Sequence, residues 1–271
     1  MSEALEFCAE HPYLAAGVTA VALGAATMVL GGGPTPVKPP FPLDRQSVEL
    51  PGDEHIHVSA LCDIKNGQHV MTDGFQPEIN TCYEGFLNGL KASGDGPCLG
   101  WRKQSEDPFQ WMSYSEVHEF SLQLGSALIQ KGCAPSNTTN IGVYSQNRPE
   151  WVITDHACMS YSMVAVALYD TLGIEACKHI ISITEMPVIF IDKVAKLDIL
   201  SSILSQGEHK VKLVVLFDGP VPAEQKDEFE KLSVEVMLYA DMLEVGINNR
   251  LDPNPPTKDD IASICFTSGT T

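Results

Sequence analysis

Residues 140–168 read NIGVYSQNRPEWVITDHACMSYSMVAVAL, and this stretch decides the fold. Asn140–Tyr144 and Val164–Leu168 are apolar runs without polar alternation, the composition of strands buried on both faces. Between them Asn147 stands as an N-cap, Pro149 falls in the first turn and Glu150 follows three residues after the cap, so a helix is expected through about Tyr161. A strand, a capped helix and a second buried strand form the crossover unit that parallel pairing requires.

The same alternation continues downstream. A helix is expected near Ile174–Ile183, a strand at Pro187–Ile191, a helix at Ala195–Leu204, a strand at Val211–Phe217 and a helix at Ala223–Leu232. Upstream, Ser113 and Glu116 make a capping box, and Val117, Phe120, Leu124, Ala127 and Leu128 recur at helical spacing until Gly132 supplies a stop. The fold class is therefore α/β, layered, with a mostly parallel sheet. A proline cluster, Asp252–Thr257, then precedes another apolar run, Ile261–Phe266, which ends in Thr267-Ser268-Gly269-Thr270-Thr271.

That terminal segment carries the chemistry. Gly269 lacks a Cβ, so backbone can approach an anion closely, while Thr and Ser hydroxyls and successive N–H groups donate to phosphate oxygens. The G-x-x-x-x-G-K-[ST] spacing of a Walker A loop is absent. From these five residues alone, a phosphate-binding turn and an ordinary solvated loop both stay open.

The chain has 271 residues, 44% of them hydrophobic, which rules out disorder throughout and a disulfide miniprotein. A formal net charge of −18 argues against a nucleic-acid partner. The eight cysteines are scattered, with no C-x-x-C pair, and read as reduced thiols. Pro12–Gly33 holds 22 residues without a charge, roughly 33 Å of helix, enough to cross a hydrocarbon core of about 30 Å. Glu3, Glu6 and Glu10 precede it where signal and transit peptides carry basic residues, which favours an uncleaved anchor. Lys38 and Arg45 follow it and would keep the downstream chain cytosolic. The expected organisation is a tail at 1–11, a membrane helix at 12–33, a proline-rich linker at 34–59 and a globular domain at 60–271.

Three stretches extend the reading by resemblance. ICFTSGTT, PCLGWRK (Pro97–Lys103) and the block Gly142–Gly173, GVYSQNRPEWVITDHACMSYSMVAVALYDTLG, resemble the long-chain fatty acyl-CoA synthetases of the adenylate-forming superfamily, with similarity running from about Ala60 to the end. The resemblance implies an adenylation domain in which Thr267, Ser268, Gly269, Thr270 and Thr271 hold the β- and γ-phosphates of ATP. It implies ATP, Mg²⁺ and coenzyme A as cofactor and co-substrates, and a long-chain fatty acid that becomes an acyl-adenylate and then a thioester. The family's motif continues into Gly-x-Pro-Lys-Gly, and its acyl pocket and catalytic lysine lie further on. The chain is therefore expected to be an N-terminal fragment, inactive by itself, with no catalytic residue and no metal ligand of its own. Its expected location is a membrane of the endoplasmic reticulum, outer mitochondrion or peroxisome, with the globule cytosolic. A non-catalytic, membrane-tethered short form and another adenylate-forming acid:CoA ligase are the alternatives.

Other candidates carry bland readings. Asp155, His156 and Cys158 are expected to be buried or capping rather than a nucleophile and base. His55 and His57 lack a third ligand and are expected in a loop. Tyr169-Asp170-Thr171 follows a strand, where open α/β sheets place ligands, but an Asx-turn role is favoured. Asn137-Thr138-Thr139 matches a glycosylation sequon and is expected to be unmodified in a cytosolic domain.

Overall fold

The computed structural model describes residues 44, 46–60, 63–65, 68–70, 79–169, 171 and 173–267. The expected membrane helix at 12–33, Asp170 and Ser268–Thr271 lie outside the described residues. Among the described residues no helix is long and apolar enough to cross a membrane.

The chain divides into two units, Met1–Phe75 and Gln76–Thr271. In the first, β1 (Ser47–Glu49) pairs antiparallel with β2 (His57–Ser59), Ser47 opposite Ser59. Strand β3 (Asp63–Lys65) pairs antiparallel with β4 (Gln68–Val70). The β1–β2 hairpin occupies the end of the stretch expected as linker.

The second unit opens with α1 (Cys82–Ser93), capped by a Thr81/Glu84 box. Next, β5 (Pro97–Trp101) and β6 (Gln110–Ser113) form an antiparallel pair. Helix α2 (Tyr114–Gln130) starts on the expected capping box, Ser113 Oγ accepting from the Glu116 N–H and the Glu116 carboxylate accepting from the Ser113 N–H. It ends where expected: Gly132 takes φ of 90°, and the Cys133 N–H returns to Leu128 O at 3.0 Å.

From there strands and helices alternate: β7 (Asn140–Tyr144), α3 (Pro149–Ser160), β8 (Val164–Leu168), α4 (Ile174–Thr184), β9 (Val188–Ile191), α5 (Ala195–Leu204), β10 (Leu213–Leu216), α6 (Ala223–Lys231), β11 (Glu235–Leu238), α7 (Tyr239–Asn248) and β12 (Ser263–Cys265). One expectation is corrected here. The N-cap of α3 is Arg148, in extended conformation and without a side-chain cap bond, rather than Asn147. The ring of Pro149 forces its predecessor out of the helical region, which moves the boundary one residue along.

The strand order is β11-β10-β9-β7-β8-β12, parallel at every pairing. Residues alternate between two cores. Ile141, Val143, Val188, Phe190, Leu213 and Val215 pack under α2, α3 and α7. Val166, Leu168, Ile189, Ile191, Val214 and Leu216 pack under α4, α5 and α6. Helices on both faces explain why these strands read as unbroken apolar runs. From β7 the chain steps to β8 on one side and then to β9 on the other, so the order reverses at β7, the place where open α/β sheets form a ligand crevice.

Candidate functional site

One register row crosses the whole sheet: Met237, Val215, Phe190, Val143, Ala167 and Cys265 are successive Cα partners. Two residues beyond it, past the carboxyl ends of the strands, come Phe217, Asp192, Ser145, Tyr169 and Thr267. Thr267, the first residue of the expected phosphate-binding segment, therefore stands on the ligand side of the sheet, on the edge strand next to β8. It is exposed. Its neighbour on that row, Tyr169, is also exposed and brings its hydroxyl to 3.2 Å from Cys265 Sγ.

The short β12 is held by the segment in front of it. Residues 249–262 lack regular structure, and three prolines within them cannot donate backbone hydrogen bonds. A backbone bond, from the Asn254 N–H to Ser160 O at 2.9 Å, is joined by side-chain attachments. The Leu251 N–H donates to Ser126 Oγ at 3.1 Å, and the Tyr161 hydroxyl donates to Leu251 O at 2.8 Å. The Ser162 hydroxyl donates to Asn254 O at 2.7 Å, and the Asn254 amide donates to Pro135 O at 3.1 Å. Finally Asn137 makes a two-point clamp: its amide donates to Ile261 O and its carbonyl accepts from the Ile261 N–H, each at 2.9 Å. The sequon asparagine thus has its amide nitrogen engaged in aligning β12.

The carboxyl end of β7 is flanked by a buried ion pair. Asp192 follows directly after β9 and Lys196 is the second residue of α5, with Nζ 2.8 Å from Oδ1 and side chains only 4% and 6% exposed. Asp192 Oδ2 accepts from the Gln146 N–H at 3.1 Å, and Lys196 donates to Tyr144 O at 3.1 Å, its ammonium 4.1 Å from the Tyr144 ring centroid. Burial alone would raise the Asp192 pKa, but the donors from Lys196 and Gln146 outweigh it and hold the carboxyl below its usual value. Arg148 completes the edge, with Nε 2.6 Å from Glu150, Nη1 2.7 Å from Asp218 and its guanidinium 5.0 Å above Phe217. Burial opposes its charge, and the two carboxylates more than restore it. These groups fix the β7–α3 turn, Ser145–Arg148, rather than leaving it a free loop.

The sequence reading did not single out Asp192, Lys196 or Arg148. An acid and a base at i, i+4 directly after a buried strand was the available signal.

The remaining candidates fall away from this edge. Cys158 is fully buried and His156 is 3% exposed, in keeping with the bland reading. Burial pushes Asp155 up to about 6. His57 opens β2 rather than lying in a loop, its Nδ1 3.4 Å from Ser47 Oγ, and His55 Nδ1 lies 2.6 Å from Glu49. Among the described residues no group of three His, Cys, Asp or Glu could hold a metal. A cavity of about 650 Å³ lined by Ser182, Glu185, Glu208, His209 and Lys210 opens beside the amino ends of β9 and β10, the opposite end from Thr267.

Comparison with known proteins agrees with this geometry. Residues 90–271 match the family of AMP-binding enzymes. Long-chain-fatty-acid–CoA ligase 1 of Homo sapiens is 43% identical over 242 residues, covering 88% of this chain and 33% of that protein. Long-chain-fatty-acid–CoA ligase 5 of Mus musculus is 39% identical over 239 residues, covering 88% and 34%. The chain thus spans about a third of the length of the curated relatives it matches. Among solved structures, the adenylation domain of a carboxylate reductase from Mycobacterium chelonae superposes with a TM-score of 0.61 over 73% of this chain and 34% of that one, at 18% identity, a likeness of fold. With a parallel sheet whose edge strand delivers Thr267 to the ligand side, and with the family match covering more than half its residues, the chain belongs to the AMP-binding enzymes.

Proposed function

We propose that this chain supplies the first part of the adenylation domain of a long-chain fatty acid:CoA ligase, and that Thr267, Ser268, Gly269, Thr270 and Thr271 grip the ATP phosphates. The observation that carries this is the position of Thr267, two residues past the sheet-wide row and beyond the carboxyl end of β12. The identity to ligases 1 and 5 supports the substrate class.

On this reading a fatty acid carboxylate attacks the α-phosphate of ATP, pyrophosphate leaves, and the thiol of coenzyme A displaces AMP from the acyl-adenylate. Charge develops on phosphoryl oxygens, so donors fixed in advance are worth more than a protein nucleophile. The contribution of this chain is to bind and orient the phosphates. Asn137 and the strap from Leu251 to Ile261 set the height of β12, and thereby the position of the hydroxyls that follow it. Mg²⁺ would neutralise phosphate charge, but no residue described here is assigned to it.

The proposal includes a membrane helix at 12–33, which would hold the enzyme where long-chain fatty acids partition, with the globule facing the cytosol at the endoplasmic reticulum, outer mitochondrial membrane or peroxisome. It also includes the boundaries of a linker at 34–59 and a domain from 60. The 271 residues by themselves are expected not to form acyl-CoA.

The test uses the ligase polypeptide that contains this chain. Gly269→Val should abolish both palmitate-dependent exchange of pyrophosphate into ATP and palmitoyl-CoA formation, because on this reading glycine is needed there for close approach of backbone to the phosphate. Unchanged rates would refute the assignment.

A further inference from the structure

Four rings join α1 to the helices beneath it. Tyr83, on α1, stacks at 19° with its centroid 5.9 Å from that of His156, and Phe86 lies 3.9 Å from the same ring and 6.2 Å from His118. Under this lid His118 Nδ1 of α2 and His156 Nε2 of α3 are 3.3 Å apart, a hydrogen bond between helices. Neither histidine has a part in the proposed function.

Two neutral imidazoles satisfy that contact with one N–H facing one lone pair. A first added proton goes to an outer ring nitrogen and leaves the bridge intact, but it places a cation beneath Phe86 and Tyr83. A second makes donors of both bridging nitrogens, and the contact is lost. The surrounding groups mostly oppose charge. Arg250, from the segment after α7, disfavours a cation on His118, and His118 in turn disfavours a charge on His156. Glu119, beside His118 on α2, favours it. Tyr83 brings a phenol whose ionisation is pushed further up by burial, and Asp155, beside His156 on α3, is pushed toward its neutral form.

We propose that the His118–His156 pair is an acid-sensitive latch: protons taken up by the pair release α1 (Cys82–Ser93) from α2 and α3 while the parallel sheet stays folded. Helix α1 is the element that yields because Tyr83 is its one buried residue. By contrast α2 and α3 bury Val117, Leu124, Leu128, Ile153 and Ala157 in the main core. Burial holds His156 at about 3 and lowers His118 as well. An exposed imidazole titrates near 6.5, so protons favour the released state below about pH 6.5, increasingly as the pH falls toward 3.

Amide hydrogen exchange of the 271-residue chain at pH 7.5 and 5.0, corrected for the intrinsic pH dependence of exchange, tests this. Protection in α1 should fall by about tenfold or more at pH 5.0, while β7, β9 and β10 keep theirs. In His118→Gln/His156→Phe the loss should disappear. The proposal is overturned if α1 stays protected at pH 5.0, if the variant loses protection equally, or if the sheet opens in step with α1. Should the variant fold poorly, imidazole proton titrations of the native chain decide. Both rings must titrate below the ordinary imidazole midpoint, and an ordinary midpoint for His156 overturns the latch.

Discussion

Gly246 lies on α7 where that helix crosses α2 at closest approach. A Cβ placed there would sit 1.8 Å from the Gln123 carbonyl oxygen, 2.5 Å from its carbon and 3.0 Å from its Cα. Non-bonded carbon and oxygen need about 3.2 Å, so Gly246→Ala must part the two helices by more than an ångström, and no flexible side chain is available to give way instead. Leu124, Ala127, Leu128 and Met242, all fully buried at this seam, would lose contact. Overpacking of this kind costs about 1–3 kcal/mol, and a backbone clash belongs at the upper end. Against it stands the helix propensity of alanine, worth about 1 kcal/mol over glycine. The net expectation is a loss of about 2 kcal/mol. Urea unfolding of the 271-residue chain, followed by far-ultraviolet circular dichroism, should show the midpoint falling by about 0.7 M for a slope of about 3 kcal/mol/M. Gly207→Ala is the control, since nothing lies within 4 Å of its Cβ position. A Gly246→Ala protein as stable as the parent or more so would refute the close-packing argument, because propensity would then be the only effect left.

Lys196→Met leaves the Asp192 carboxylate buried without its cation and should cost about 3–5 kcal/mol at pH 7. The native Asp192 pKa is depressed, so its contribution is present above about pH 4 and is lost as the pH falls through the folded value. In the variant the sign reverses, and urea titrations should find a smaller penalty at pH 4 than at pH 7. Asp155 behaves oppositely. Its pKa rises from 3.8 to about 6 through burial, so it costs nothing below pH 3.8 and up to about 3 kcal/mol above pH 6. Asp155→Asn should therefore stabilise the chain at pH 7 and not at pH 3.5, and equal effects at both would contradict a desolvation origin. Asn137→Ala removes both bonds to Ile261 and should cost about 1–2 kcal/mol. Faster amide exchange in β12, with β9 unchanged, is the accompanying signature.

The sheet was legible because its strands are buried on both faces. Every residue of Val164–Leu168 and Val188–Ile191 is buried, and that uniformity is visible as composition. Three elements with weaker burial were not foreseen, although α6, which buries only Phe229, was. Helix α1 buries one residue of twelve. Strand β11 is the far edge, with an exposed Glu235 and its other residues only partly covered. The inward stripe of α7, Tyr239, Met242 and Gly246, includes a glycine, whose value at a helix crossing depends on Gln123, far away in sequence. Strand order was hidden for the same reason: β12 joins β8, not β11, through pairing between residues about a hundred positions apart.

The site divides along the same line. The proposed phosphate grip is written in consecutive residue types, so the segment from Thr267 onward stood out. What holds β12 in front of it is not consecutive. Ser126, Tyr161 and Ser162 come from α2 and the α3–β8 corner, Pro135 and Asn137 from the loop before β7, and each meets residues 251–261 across 90 or more positions. The matching groups are ordinary on their own: a sequon, a helix serine, a tyrosine at a helix end. Their joint effect is to turn a proline-rich stretch, which cannot hold itself by backbone ladders, into a fixed strap. Residues in that strap need no contact with nucleotide to affect it. Shortening it by one residue between Asn254 and Ile261 would put the anchors at Asn254 and the Asn137 clamp on Ile261 out of step by about 3.3 Å, as long as a hydrogen bond. The precision of any phosphate grip at the end of β12 therefore rests on Asn137 and Tyr161 as much as on the hydroxyls themselves.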